Sequence, residues 1–383
     1  MRDIARTCAG DGHDVTVMVP ASGHAADTSH DAAEPYAIVR DHLWGRMFRA
    51  GGSPSPWRSR AARAALTGWV LFLALRAGRF DLVVVGHVLP LGTVALALRR
   101  LRGMPYLLVT HGEEITVYSR RPRMRAMLIA ALRGAGAIRA NTDAGAFELA
   151  ALAPEVAPRI HVMPPPATAP PADPEATAAL RRSLGPDGSL WIVTVARLVP
   201  RKGIDTTLRA LATMIGAEDP PWRYAVVGDG PQRAELEALA TELDIAGRVI
   251  FAGAVAETGP WFHLADVFAM PNRDMPDGEK EGYGIVFLEA ALAGRPVIAG
   301  RSGGAPAAVA DGETGLVVDG TDPVAVAAAL RDLLTDPLKS ARMGQAARAR
   351  ARTLCDPETN RRDLRAMLVA AMDFQAYGPA DNR

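Results

Sequence analysis

The chain has 383 residues, 49% of them apolar and 22% charged, which excludes wholesale disorder and a membrane-embedded body and leaves length for two or three buried cores. Its two cysteines, Cys8 and Cys355, lie almost a chain length apart with no companion Cys or His, which excludes a disulfide framework and a cysteine zinc site and fits a reducing, cytoplasmic setting. The net charge of +1 conceals an asymmetry: residues 1–168 hold 20 Arg and no Lys against 13 acidic residues, net +7, and the remainder is net −6. A basic half favours an anionic partner, such as a phosphorylated substrate or a lipid surface. Nucleic acid is not an expected partner.

From the N-terminus, residues 2–9 read as a helix, 10–13 as a turn and 14–19 as a strand. The opening residues are charged and lack the apolar segment of a secretory signal. A doubly wound sheet ordinarily opens with a strand and a Gly-rich turn ahead of such a helix, so the first sheet is expected to start truncated or to lack one strand. Residues 36–39 form the next expected strand. The longest apolar stretch, 64–75, falls short of the ~20 residues a spanning helix needs. Arg58, Arg60 and Arg63 before it and Arg76 and Arg79 after it leave two readings: a core helix with a solvated Arg-rich end, or a helix lying on lipid headgroups at the inner face of a membrane. Strands are expected at 81–85, 106–110, 137–140 and 160–162, with helical patterns between most of them.

Residues 163–174 are proline-rich, which denies both ladder hydrogen bonds and helix continuation, so an extended linker is expected there. Beyond it, short apolar strands at 190–195, 223–227, 249–251, 267–270, 297–299 and 315–318 alternate with helices, and three helical patterns at 322–334, 338–353 and 357–374 close the chain. The expected organisation is an α/β chain with a first Rossmann-like domain over 1–168 and a second over 169–355. Residues 356–383 are expected to carry a terminal helix, and a return of that helix to the first domain is one of the readings the sequence leaves open.

The segment 281–289 (EGYGIVFLE) concentrates chemistry. Gly282 and Gly284 permit close backbone approach, and Ile285 and Val286 place amides at a helix N-terminus, where unpaired N–H groups attract an anion or sugar hydroxyls. Glu281 and Glu289 can then accept hydrogen bonds from the hydroxyls of one ligand. Arg197 can fork onto phosphate oxygens, and Lys202 brings a compact charge to the same group. Gly228-x-Gly230 is no dinucleotide fingerprint, because position 233 is Arg, which disfavours an NAD enzyme. His111 follows an apolar strand, at the strand end where ligands bind in open α/β sheets.

Together these segments resemble the family 4 retaining glycosyltransferases. The resemblance rests on Glu281-x7-Glu289, Gly294-Arg295-Pro296-Val297-Ile298, Gly303-Gly304-Ala305-Pro306, Ala196-Arg197-Leu198 with Arg201-Lys202-Gly203, Gly228-Asp229-Gly230-Pro231 and Asp311-Gly312-x-x-Gly315. It is strong over 190–335 and visible before that, where Thr110-His111-Gly112-Glu113 is similar to the family's His-Gly segment. It implies the GT-B architecture, two Rossmann-like domains facing across a cleft, and a metal-independent, cofactor-free enzyme of bacterial type. That enzyme would move mannose or glucose, from GDP-mannose or UDP-glucose, to an unidentified acceptor, with a lipid-linked one among the readings.

Under that resemblance Arg197 and Lys202 hold the donor diphosphate, Glu281 a hydroxyl of the transferred hexose and Glu289 the ribose hydroxyls. Gly228 and Gly230 back the nucleotide pocket, the Val255 backbone meets the base, and the amides of Gly284, Ile285 and Val286 lie near sugar and phosphates. His111 lies beside the hexose, and Asn141 and Thr142 are expected to help line the acceptor side. Two departures stand out: the opening Gly-rich loop is absent from this sequence, and Ala307 stands where the family usually carries Glu. Two other readings remain, a sugar-nucleotide epimerase of the same architecture and a catalytically impaired nucleotide-sugar-binding protein.

Overall fold

The computed structural model describes residues 1–20, 31–41, 79–184 and 188–374. The apolar stretch at 64–75 lies outside them. Each of the twelve expected strands forms: β1 Thr16–Pro20, β2 Ala37–Asp41, β3 Val83–Val85, β4 Tyr106–Val109, β5 Ala137–Ala140, β6 Ile160–Val162, β7 Leu190–Val195, β8 Trp222–Val227, β9 Val249–Gly253, β10 Val267–Met270, β11 Val297–Gly300 and β12 Gly315–Val318. They assemble as a parallel pair β1-β2, a four-stranded sheet β3-β4-β5-β6 and a six-stranded sheet β12-β11-β10-β7-β8-β9.

Every pairing described in the six-stranded sheet is parallel. Its order is that of a doubly wound nucleotide-binding sheet, with the chain reversing direction across the sheet between the neighbours β7 and β10. The strands are apolar on both faces, as a parallel sheet covered on both sides requires. Alternation along β8 sends Trp222, Tyr224 and Val226 into one core with Leu208, Leu211, Leu330 and Leu333. Ala225 and Val227 go to the other side, with Trp191, Val193 and Trp261. A third cluster forms around the helix Ile285–Leu292, where Phe287 meets Phe268 edge-on at 6.1 Å and Phe268 stacks on Phe262 at 5.6 Å.

Compactness divides the chain into two units that run differently from the boundary drawn at 168. One comprises Met1–Val109, Ala130–Ile138 and Arg361–Arg383; the other comprises Thr110–Ile129 and Arg139–Asn360. Residues 139–168 fall with the second unit because the proline-rich segment is fastened along it. Arg139 donates to the carbonyls of Met163 at 3.1 Å and Pro164 at 2.8 Å, His263 contacts the Pro170 carbonyl at 3.3 Å, and Ala167 packs against the Phe287 cluster. Within the first unit the last helix, Pro357–Asp373, is held by Arg365, which donates to both carboxylate oxygens of Asp11 at 2.7 and 2.6 Å. Arg99 donates to the Phe374 carbonyl at 2.7 Å and stacks 4.7 Å over its ring.

Candidate functional site

Ligands of doubly wound sheets bind beyond the C-terminal strand ends at the reversal point. Here that point lies between the loops that leave β7 and β10. After β7, residues 196–199 lead into a single tight turn, Pro200–Lys202, which ends at Gly203 with φ +68°. A Cβ at Gly203 would collide with the Pro271 carbonyl at the end of β10, so only glycine lets the two loops approach this closely.

The consequence is a meeting of charges. Lys202 Nζ lies 2.5 Å from Oε2 of Glu281, with the two side chains 11% and 8% exposed. Arg201 Nη1 stands 3.5 Å from the same oxygen and donates to the Lys280 carbonyl at 3.3 Å. A sequestered carboxylate between two cations carries little excess charge, and a lysine with three donors retains hydrogen bonds for an incoming anion.

Arg197 leaves the same loop further back. Its side chain is exposed and has no hydrogen-bond partner among the described residues. Gly228, at φ +129°, and Gly230 shape that loop. A Cβ at either would collide with the Ala196 or Leu198 backbone, and the Leu198 N–H donates to the Asp229 carbonyl at 3.0 Å. These two glycines therefore frame the arginine's backbone by letting the turn after β8 lie against it.

Glu289 sits in the helix Ile285–Leu292, half-buried, with no hydrogen bond to its carboxylate among the described residues. Burial alone pushes its carboxyl above the ordinary range. Gly284 caps this helix in the left-handed region, at φ +82°, and a Cβ there would collide with the Phe287 ring. The amides of Ile285 and Val286 begin the helix, and the Ile285 side chain is exposed. Val255 follows β9, and its half-buried side chain packs against the Trp191 cluster.

His111 is exposed, and its carbonyl passes so close to Gly282 that a Cβ there would collide with it. The histidine thus stands next to the turn that carries Glu281. Asn141 and Thr142 are both buried, and the Thr142 hydroxyl accepts from the Gly145 N–H at 2.9 Å as the cap of the helix Asp143–Leu152. The Thr142 hydroxyl is thus engaged as a helix cap, and its methyl group lies beside Gly304. Among the described residues no three His, Cys, Asp or Glu side chains gather as a metal site would need.

Sequence reading missed Arg201 as a member of the site, and Asp274 and Ser302 as its supports. Arg201 was visible only as part of an Arg-Lys-Gly run. Asp274 and Ser302 offer no pattern, being common residues 28 positions apart whose hydroxyl-to-carboxylate bond, 2.6 Å, exists only in the fold.

Residues 1–168 match the family described as Glycosyltransferase Family 4, and residues 177–350 match Glycosyl transferases group 1. The chain belongs to the family 4 glycosyltransferases. Among its relatives is the GDP-mannose-dependent alpha-(1-6)-phosphatidylinositol monomannoside mannosyltransferase of Mycolicibacterium smegmatis, 48% identical over 179 residues, which are 46% of this chain and 47% of the relative. The D-inositol 3-phosphate glycosyltransferase of Streptomyces avermitilis is 41% identical over 188 residues, 46% of this chain and 39% of the relative. The chain thus spans about half the length, or less, of these curated relatives.

Two solved structures cover nearly the whole molecule. HepE of Anabaena in complex with UDP and glucose superposes with a TM-score of 0.77 at 20% identity, covering 96% of this chain and 94% of that one. The sucrose-phosphate synthase of Thermosynechococcus elongatus gives 0.74 at 23% identity, covering 96% and 91%. At these identities the likeness shows the fold, which is the GT-B architecture of the family.

Proposed function

We propose that this family 4 member transfers a hexose from a nucleoside diphosphate sugar to a lipid-linked acceptor with retention of anomeric configuration, its donor held by the half comprising residues 169–355. The observation that carries this reading is the pairing of Lys202 with Glu281, delivered by the two loops that flank the reversal point of the sheet. A metal-free diphosphate site requires cations of this kind at the leaving group. The exposed Arg197 and Glu289, whose carboxylate has no hydrogen-bond partner among the described residues, complete a layout in which phosphates meet the cations and ribose hydroxyls meet Glu289.

In the proposed reaction the bond between the sugar's anomeric carbon and the diphosphate oxygen breaks, and the acceptor oxygen bonds to that carbon on the same face. The acceptor's hydroxyl proton passes to the departing phosphate oxygen, so no protein nucleophile takes part. Arg197 and Lys202 stabilise the charge that develops on the diphosphate. Glu281, held by Lys202, accepts a hydrogen bond from a hexose hydroxyl, and His111 lies beside the same sugar.

GDP-mannose is the favoured donor over UDP-glucose, because the mycobacterial and corynebacterial relatives at 44 to 48% identity are named as GDP-mannose-dependent. Their acceptor, a phosphatidylinositol monomannoside, indicates the same class of acceptor here. A peripheral contact with the inner face of a membrane follows from such an acceptor. It is supported by the net +7 of residues 1–168 and by the exposed Arg120, Arg121, Arg123 and Arg125. No helix among the described residues is long and apolar enough to cross a membrane.

A thermal-shift panel of GDP, UDP, GDP-mannose and UDP-glucose tests the reading, since a specific ligand raises apparent stability by mass action. GDP-mannose is expected to give the largest rise. No rise with any of the four would reject the proposal.

A further inference from the structure

The pairing of Lys202 with Glu281 needs two loops held in register, and the structure supplies a device for this at the root of the loop that carries Glu281. The segment leaving β10, Asn272-Arg273-Asp274, bonds to both sides. On the lysine side, the Arg273 N–H donates to the Arg201 carbonyl at 2.9 Å. The Arg273 guanidinium reaches Asp205 at 3.0 Å and the Thr206 hydroxyl at 2.9 Å, in the helix Ile204–Ala212 that follows Lys202.

On the glutamate side, the contact runs through Ser302, which is 2% exposed. Its hydroxyl donates to Asp274 Oδ1 at 2.6 Å and accepts the Glu281 backbone N–H at 3.3 Å. The Glu281 carbonyl is taken by the Gly304 N–H at 2.8 Å, and a Cβ at Gly303, where φ is +50°, would collide with that carbonyl. Both backbone polar groups of Glu281 are therefore consumed by one stretch of three residues. The wholly buried Asn272 anchors that stretch by donating to the Ser302 carbonyl at 3.4 Å, and it accepts the N–H of Gly300, just ahead of it, at 3.0 Å.

A hydroxyl can donate and accept at once, but it rotates freely unless a partner fixes its proton. The Asp274 carboxylate can only accept, so it claims the Ser302 proton and turns a lone pair towards the Glu281 N–H. An alanine at 302 would leave that N–H buried and unpaired, and the Glu281 backbone would shift to find a partner.

We infer that Ser302, oriented by Asp274, is a positioning residue that sets the Glu281 carboxylate for its hexose hydroxyl. This rests on the proposed function, in which Glu281 meets the sugar while the nucleotide is held elsewhere. It follows that loss of the Ser302 hydroxyl weakens recognition of the sugar and spares the nucleoside diphosphate.

The test is calorimetric titration of the wild type, Ser302→Ala, Asp274→Ala, Glu281→Gln and the double variant Ser302→Ala/Glu281→Gln with GDP and GDP-mannose, and in parallel with UDP and UDP-glucose. For the pair that the wild type binds, both Ser302→Ala and Asp274→Ala are expected to hold the diphosphate within twofold. The extra affinity for the sugar nucleotide should fall about fivefold, the scale of one hydrogen bond of about 1 kcal/mol. Adding Ser302→Ala to Glu281→Gln should cost no more than Glu281→Gln alone, because the serine acts through the glutamate.

An equal loss for diphosphate and sugar nucleotide would mean a general structural role and would overturn the inference, as would no change for either. Asp274 is exposed, so its variant reads the same bond should Ser302→Ala fail to fold. If the wild type binds neither pair, the donor site itself is wrong and the inference goes with it, a result distinguishable from a wild type that binds both ligands and variants that lose them equally.

Discussion

Two carboxylates, one in each compact unit, are treated in opposite ways. Glu34, in the first unit, has a side chain only 3% exposed and accepts from Arg6 at 2.8 and 3.0 Å and from Arg2 at 2.6 Å. Led by the Arg6 hydrogen bonds, these partners hold its carboxyl down at about 2. Glu289, in the second unit, is half-buried with no hydrogen bond to its carboxylate among the described residues, and desolvation pushes its carboxyl up. A paired carboxylate ties a helix to its neighbour and needs nothing further. An unpaired one costs stability until something with hydroxyls or N–H groups arrives, which marks a binding site.

The largest effect that could break this contrast lies in the cationic pair. Lys202→Ala and Arg197→Ala should each lower donor-dependent turnover by roughly 10²-fold, the scale of losing one preorganised charge donor. Turnover within about threefold of wild type in both variants would remove the diphosphate assignment. Glu289→Gln should weaken nucleotide binding about tenfold or more, the scale of a hydrogen bond to a charged group, measured by titration calorimetry.

The same substitution should raise the melting temperature of the ligand-free protein at neutral pH, because it removes a buried charge. That advantage should shrink as pH falls through the raised carboxyl value of Glu289, where the wild-type side chain takes up a proton. Glu34→Gln sharpens the comparison by having the opposite sign. Its lowered carboxyl stabilises the fold above the unfolded value near 4.5, and that contribution disappears as pH falls from there to about 2. Glu34→Gln should therefore lower the melting temperature at neutral pH and converge with wild type in acid. Identical pH dependence for the two variants would refute the contrast.

Backbone frames provide a further check. Gly228→Ala should destabilise the second unit by about 1–3 kcal/mol through strain at a positive φ, read by chemical denaturation. Gly247→Ala should be close to neutral, because nothing lies within 4 Å of the added methyl group.

Much of the fold was legible in advance because parallel strands buried on both faces read as short apolar runs between helical patterns. All twelve strands formed within a few residues of their expected bounds. The helix starting at Ile285 and the one starting at Ile204 were marked by glycines that the structure holds at positive φ. Lys202 and Glu281 were legible as members of motifs, but their ion pair was not, since it joins loops 79 residues apart. The capping bond of Thr142 was not legible, because a threonine at a strand end carries no local mark of whether it caps the next helix.

The order of apolar runs, the glycines at special turns and the acidic and basic residues of the family motifs were determined by the sequence alone, because each depends on local sterics or on residue type. Which charges would meet, which would remain unpartnered, and which serine would hold the glutamate were decided only by the tertiary structure. The reversal of strand order between β7 and β10 brings distant loops to one place, and no local pattern carries that distance.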